Sequence, residues 1–330
     1  MSVGAGYIGS VTAAELLRAG HRVTVYDNLS RGHRAAVPAG ARLVLGDTAD
    51  AAALAAALDG AGCDAAIHFA AFIEAGESMV DPGRFFANNV ANTITLVYAL
   101  LDAGVERLVF SSSAGVYGEP EMTPIPEEHP LRPVNVYGET KALVERILRW
   151  YGERRGLRWV ALRYFNAAGA TDERGEDHAP ESHLIPLILQ VPLGRREAIT
   201  IFGDDYPTRD GSCVRDYVHI LDLADAHMLA LTQCDRGGGV FNLGNGAGFT
   251  NLEVVETARR VAGLPIPAVI GPRRPSDPAA LVASSERART TLGWRPRFAS
   301  LESIVESAWR WHRAHPHGYG DHQTGARTPA

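Results

Sequence analysis

Short apolar strands alternate with helices through the first half of the chain, and this alternation restricts the fold more than any other feature. Residues 21–26, 42–45, 65–69, 107–110 and 158–163 read as buried strands. Residues 7–19, 51–58, 85–103 and 137–151 read as the helices between them. Strands that are apolar along their whole length, each followed by a helix, form a parallel sheet covered on both faces. The expected fold class is therefore α/β, a doubly wound parallel sheet. After about Asn166 the rhythm changes: Pro and Gly become frequent and the apolar runs shorten. Two domains are expected, residues 1–165 and a smaller mixed α/β unit over 166–330, with some segments of the second returning to the first sheet.

A chain of 330 residues buries a large core without disulfide support. Cys63, Cys213 and Cys234 include no CxxC pair, so neither a disulfide framework nor a thiolate metal site is expected. The net charge of −6 lacks the concentrated positive charge that nucleic acid requires. No run of about 18 uncharged apolar residues predicts a membrane helix, and no basic segment leads into an apolar run at the start. The expected location is the cytoplasm.

Gly4-Ala5-Gly6-Tyr7-Ile8-Gly9 opens the first helix. Glycines there let the backbone approach a pyrophosphate, and the helix N-terminus stabilises its charge. Asp27 stands about 20 residues beyond Gly6, the spacing at which an acid accepts from a ribose 2′-OH in a Rossmann-type unit. An acid at this place repels a 2′-phosphate, which favours NAD over NADP. A Rossmann unit also needs a strand before its Gly turn, and only Met1-Ser2-Val3 precede it. The first Gly of the usual triplet falls at Val3. Loss of that strand removes roughly five buried apolar side chains at about 1.5–3 kcal/mol each, which rivals the roughly 5–15 kcal/mol stability of a domain. The first strand is expected to be truncated, with the natural chain starting upstream or the fold compromised.

Tyr137-Gly138-Glu139-Thr140-Lys141 places a phenol and an amine one turn apart on a helix face. A neighbouring ammonium and an oxidised nicotinamide both favour the phenolate. Moving a Tyr pKa from about 10 to about 7 needs roughly 4 kcal/mol of differential stabilisation. Ser113 closes Ser111-Ser112-Ser113 just past a buried strand. Ligands of open α/β sheets sit at that end of a strand, where a hydroxyl can hold a substrate hydroxyl in line with the Tyr.

The set Gly6–Gly9, Asp27-Asn28, Asp47, Ser111–Gly118 and Tyr137-x-x-x-Lys141 resembles the extended short-chain dehydrogenase/reductases. Leu162–Asn166, the segment Tyr206–Tyr217, and Pro272-Arg273-Arg274 with Asp277 narrow the resemblance to the UDP-glucose 4-epimerase family. It runs from Gly4 to about Gly318. It implies an isomerase with permanently held NAD. Tyr137 takes the proton of the sugar 4-OH, helped by Ser113, while hydride passes from C4 to the nicotinamide. The 4-keto sugar turns and hydride returns to its other face. Lys141 holds the nicotinamide ribose and lowers the Tyr pKa. The cofactor set implied is Gly4, Gly6, Tyr7, Ile8, Gly9, Asp27, Asn28, Asp47, Thr48, Phe69, Ala70, Ala71, Asn88, Tyr137, Lys141 and Phe165. The UDP-sugar set is Ser113, Asn166, His183, Leu184, Thr200, Phe202, Arg215, Arg274 and Asp277. Residues 1–165 would then bind NAD and 166–330 the UDP-sugar. The resemblance also implies a homodimer through the helices at 85–103 and 137–154. The chemistry agrees: two guanidinium forks suit a pyrophosphate, Asp277 suits ribose hydroxyls, and Phe202 can stack near a uracil.

Three positions depart from the family pattern. Ile73 replaces a Lys near the cofactor, and His183 replaces an Asn beside the sugar phosphates, which introduces a titratable ring. Leu281 occupies the position whose size gates N-acetyl sugars. Epimerisation of UDP-N-acetylglucosamine, UDP-xylose or UDP-glucuronate stays open beside UDP-glucose. So do an NAD-binding pseudoenzyme and an inactive truncated product. A 4,6-dehydratase is disfavoured, because Ala114-Gly115 stand where that chemistry needs an acidic pair. No metal is expected: His312, His315, His317 and His322 fall in a stretch taken as a flexible tail, frayed from about Gly318. Trp309 and Trp311 are expected to pack a terminal helix, Cys213 to be a packing residue, and His68 to be a strand residue and no base.

Overall fold

The computed structural model describes residues 1–274 and 277–320. In chain order the first half carries β1 (Ser2–Val3), α1 (Tyr7–Arg18), β2 (Thr24–Asp27), β3 (Arg42–Leu45), α2 (Ala51–Leu58), β4 (Ala66–His68), α3 (Ala75–Val80), α4 (Pro82–Phe86), α5 (Asn92–Asp102), β5 (Arg107–Ser113), α6 (Val136–Arg155) and β6 (Arg158–Tyr164). The second half adds β7 (Asn166–Ala168), α7 (Leu184–Leu189), β8 (Ile199–Phe202), β9 (Val214–Arg215), β10 (Tyr217–His219), α8 (Ile220–Gln233), β11 (Gly239–Leu243), β12 (Phe249–Thr250), α9 (Asn251–Ala262), β13 (Ala268–Gly271), β14 (Ala280–Leu281) and α10 (Leu301–Ala314).

Seven strands form one sheet in the order β11-β6-β5-β4-β1-β2-β3, with every pair parallel. This is the doubly wound Rossmann-type sheet that the alternation predicts. The chain reverses its direction of travel between β1 and β4, and the carboxyl ends of strands at such a switch point form a crevice. Along β5 the side chains alternate: Leu108 and Phe110 enter the core on one face with Leu96 and Leu148, and Val109 enters the other with Val11 and Leu223. A separate core joins Ile185, Ile199, Val254 and Ile304 in the second half.

β1 is short, as expected, but it is not missing. Ser2 pairs Val25 on one side and Ile67 on the other. The ladder extends past both ends, with Ile67 N–H donating to Met1 O and Gly4 N–H to Tyr26 O. Val3 is fully buried. The expected helix over 85–103 is a composite. α4 and α5 are joined by a π-helical turn over Ala87–Ala91, a distortion that frequently marks functional sites. The second half does return to the first sheet: β11 pairs β6 along Gly239–Leu243, and α8 shares a core with α1.

The tail expectation needs correction. His312 is buried on α10, which ends at the cap residue His315. His317 lies in the turn that follows, where Gly318 N–H donates to His315 O. The Tyr319 hydroxyl donates to Gly175 O at 3.1 Å, so the chain is packed through that point. The helix runs to Ala314 and so includes His312. His322 and the rest of the expected frayed tail lie outside the described residues. Trp309 and Trp311 pack on α10 as expected.

Candidate active site

The carboxyl ends of the central strands open onto a cleft of about 380 Å³. One wall is the turn before α1. Gly4 has φ +128°, and a Cβ on it would come within 3.0 Å of the Phe69 Cβ. A Cβ on Gly9 would meet Gly4 O at 2.2 Å. A Cβ on Gly6 meets nothing within 4 Å, and Gly6 lines the cleft. Gly4 and Gly9 therefore serve close backbone packing, whereas Gly6 leaves room for a ligand. Gly6 caps α1 with no side-chain bond, so the first N–H groups of the helix remain available to an anion.

Asp27 ends β2. Its carboxylate accepts from Ala5 N–H and Leu29 N–H, both at 2.5 Å. Burial raises its pKa against the pull of these two bonds. Each oxygen retains a lone pair for a ribose hydroxyl. Asn28 lines the cleft and donates to Asp47 at 2.7 Å. Asp47 thus orients Asn28 and does not itself line the cleft. Tyr7, Ile8, Thr48, Phe69, Ala70, Ala71, Asn88 and Phe165 are all lining residues. Ile73 also lines it, an apolar surface where the resembling family has an amine.

The opposite wall holds the reactive groups. The side chain of Asn135 accepts from Gly138 N–H at 2.8 Å and starts α6, which sets Tyr137 in its first turn. The Ser113 hydroxyl at the end of β5 accepts from Gly115 N–H at 3.1 Å and lies beside the Tyr137 ring: a Cβ on Gly115 would meet Ser113 Oγ at 3.4 Å and Tyr137 Cε1 at 3.8 Å. Ser113 and Tyr137 both line the cleft. Lys141 lies behind them, buried, with Nζ donating to Ser111 O at 2.8 Å. Burial lowers its pKa to about 7, with Glu145 acting in the opposite direction. Burial raises the Tyr137 phenol; the Ser113 side chain works to lower it and the Glu74 charge to raise it. Lys141 contributes no shift there, so the protein by itself does not produce the expected fall in the Tyr pKa. The ammonium is 5.8 Å from the Tyr137 ring centre and donates to the β5 carbonyl, and burial drives it toward a neutral form with no charge to offer the phenol.

Of the sugar-nucleotide set, Asn166 and His183 join Ser113 in the cleft. Asn166 Nδ2 donates to Asp216 O at 2.9 Å. Leu184 begins α7 directly after the N-cap His183. The remainder gathers elsewhere, around β8 and β9. Arg215 is ion-paired with Asp277, and the Arg274 guanidinium lies 4.0 Å over the Phe202 ring. Thr200 is on β8 with Phe202. Leu281 stands opposite Arg215 in the β9–β14 register. Cys213 is buried, its thiol pushed up mainly by burial, and His68 is held neutral in the same way at about 3.

Sequence reasoning passed over several lining residues. Arg31 pairs with Glu74 at 3.0 Å and donates to Ala179 O at 2.5 Å, joining three loops around the cleft. Glu176, His178, Glu181 and His183 bring four donor atoms within 4.8 Å of one another. Burial works to raise the Glu176 carboxyl, yet His183 and His178 bring it down to about 2. Burial works to lower the His178 imidazole, and Glu176 and Glu181 raise it to about 10. The signal was present in the sequence as Glu-x-His-x-x-Glu-x-His, but no periodic element draws attention to it.

Comparison with known proteins follows the same lines. The profile of the NAD dependent epimerase/dehydratase family matches residues 3–244. The UDP-glucose 4-epimerase of Lacticaseibacillus casei is 51% identical over 322 residues, 96% of this chain and 97% of that protein. The UDP-glucose 4-epimerase of Halalkalibacterium halodurans is 52% identical over 320 residues, 96% of each chain. The crystal structure of UDP-glucose 4-epimerase from Brucella ovis in complex with NAD superposes with a TM-score of 0.91 at 42% identity, covering 93% of this chain and 96% of that one.

Proposed function

Since the chain belongs to the NAD dependent epimerase/dehydratase family, we propose that it inverts C4 of a UDP-hexose, interconverting UDP-glucose and UDP-galactose with NAD as a retained cofactor. One observation carries this: Ser113 and Tyr137 line the same cleft as the Gly4–Gly9 turn and the Asp27 carboxylate. The cleft fits the cofactor. The open space at Gly6 admits a pyrophosphate, the α1 N–H groups meet its charge, and Asp27 accepts from an adenosine ribose. Bound in its oxidised form, NAD supplies a hydride acceptor and then a hydride donor.

The residues of the chain do the rest. Tyr137 takes the proton of the 4-OH and later returns it, and Ser113 holds that hydroxyl in line. Lys141 supports the nicotinamide ribose from behind. Asn166, His183, Leu184, Thr200, Phe202, Arg215, Arg274 and Asp277 are assigned to the UDP-sugar. In this reading the Arg215–Asp277 pair and the Arg274–Phe202 stack open to receive phosphate and uracil. Residues 1–165 serve the cofactor and 166–330 the sugar nucleotide, apart from the segment 220–243 that completes the sheet.

A homodimer through α5 and α6 is part of the proposal. Tyr98 and Trp150 are 47% and 51% exposed on these helices, and Tyr98 meets Tyr151 edge-on at 5.6 Å, a pattern suited to an aromatic-rich interface. The chain is assigned to the cytoplasm. Its three cysteines are free, and among the described residues no helix is long and apolar enough to cross a membrane.

The test is incubation with UDP-galactose and no added NAD. UDP-glucose should form without accumulation of NADH. Dependence on added NAD with stoichiometric NADH would instead indicate a dehydrogenase. The same assay with UDP-N-acetylgalactosamine tests whether Leu281 admits the larger sugar.

A further inference from the structure

The loop that follows β7 folds back on the cleft and places Glu176 Oε1, His178 Nδ1, Glu181 Oε1 and His183 Nδ1 around one point. We propose that these four atoms form a closed binding site for a divalent cation of the zinc class. Tetrahedral zinc with bonds of about 2.0–2.1 Å to nitrogen and oxygen sets its donors about 3.3 Å apart. The separations found are 2.5 Å from His183 to Glu176, 3.3 Å from His178 to Glu176, 3.6 Å from His183 to Glu181 and 3.8 Å from His178 to Glu181. These four pairs bracket that edge, and all six separations lie within 4.8 Å.

A second observation points the same way. Glu176 is only 4% exposed. Its Oε1 and the Nδ1 atoms of His178 and His183 are shut off from solvent, close to one another at 2.5 and 3.3 Å but in no geometry that makes a hydrogen bond. Buried polar atoms normally make well-formed hydrogen bonds, and a cation at the centre would take a lone pair from all three at once in place of those misaligned contacts. Two imidazoles with two carboxylates suit zinc. Magnesium and calcium require six or more oxygen donors. The two carboxylates also cancel the charge of the ion, so the site stays neutral.

Four protein donors leave no open coordination position, so the ion serves structure and does no chemistry. It pins the loop beside Tyr7 in the first turn of α1, whose ring meets the His178 ring edge-on at 6.5 Å. Glu176, His178 and His183 line the cleft, so the ion would fix one of its walls. The site shares His183 with the UDP-sugar set assigned above, the ion taking Nδ1 and leaving Nε2 free, and its test reads metal binding and no activity.

The purified protein, nucleotide still bound, is treated with EDTA, dialysed, and titrated with Zn²⁺ by calorimetry and with Co²⁺ by visible absorption. One ion per chain is expected, with the intense bands of tetrahedral Co²⁺ and a higher melting temperature when Zn²⁺ is present. His178→Gln and Glu181→Gln should each weaken Zn²⁺ more than about 10-fold, the loss that even a change outside the ligand set produces. Absence of stoichiometric Zn²⁺ binding overturns the site. So does unchanged affinity in both variants, with circular dichroism confirming their fold. If neither variant folds, the Co²⁺ spectrum of the unmodified protein decides: octahedral or absent bands reject the proposal.

Discussion

Lys141 stands one helical turn after Tyr137, with its ammonium 5.8 Å from the centre of the Tyr137 ring. The two residues share a helix face, but each has its own neighbour. The ammonium is tied to Ser111 O at 2.8 Å, and the Ser113 side chain acts on the phenol, working to lower its pKa. Burial acts on them in opposite directions, lowering the amine and raising the phenol. Both groups are therefore biased toward their neutral forms in the protein alone. A phenolate requires the added positive charge of the bound oxidised cofactor.

The buried amine makes stability depend on pH. Its folded pKa of about 7 lies below the ordinary value of 10.5. Between those two values the unfolded chain carries the extra proton, so stability rises with pH across that window. The contribution is at most about 1.4 kcal/mol per pH unit. In protein freed of nucleotide, urea unfolding of wild type and Lys141→Met should give a stability difference that moves in favour of wild type from pH 7 to pH 9. A difference that stays flat with pH contradicts the depressed amine.

The glycines of the first turn separate folding from binding. Gly9→Ala drives a methyl group into Gly4 O, so it should lower the melting temperature and the yield of folded protein. Gly6→Ala adds its methyl in open space facing the cleft. It should keep the melting temperature of the nucleotide-free protein and lose NAD affinity by at least about 10-fold, close to 1.4 kcal/mol. Calorimetric titration with NAD and a thermal scan on each variant distinguish the two roles.

Glu145 and Arg163 form a buried pair, with Arg163 Nε donating to Glu145 at 2.9 Å. Ser112 and Tyr117 complete the network, the first bonded to Glu145 and the second to Arg163. Arg163→Met leaves the carboxylate without its cation and should cost about 3–5 kcal/mol in urea unfolding. Glu145→Leu combined with Arg163→Met removes both charges and should recover a large part of that loss. Equal destabilisation in the single and double variants would show that packing, not charge, sets the cost.

The parts of this molecule that local pattern controls were legible in the sequence. β5 alternates between two cores and delivers Ser113 to the cleft, and the Tyr137-x-x-x-Lys141 spacing falls on a helix. The π-helical turn at Ala87–Ala91 was not legible, because its composition is that of an ordinary helix. Asn89 there bonds both backbone groups of Phe72 and the Thr140 hydroxyl, and such contacts depend on chain segments remote in sequence. Distance also hides how Arg215 and Asp277 find each other, through loops and the β9–β14 pairing. His312 was misplaced in a tail because it was grouped with the later histidines His315, His317 and His322, although Ile304, Val305, Trp309 and Trp311 give α10 a buried face. The Glu176–His183 cluster lies in an irregular loop, where spacing predicts no geometry.

Tyr137→Phe tests the central claim most directly. The substitution removes the phenolic oxygen and keeps the ring. UDP-galactose turnover should fall by about 10²–10⁴-fold, the range for loss of a positioned acid–base group, while the variant still retains one NAD per chain. Turnover close to that of the unmodified protein, with NAD bound, would contradict the assignment of Tyr137 as the group that moves the proton.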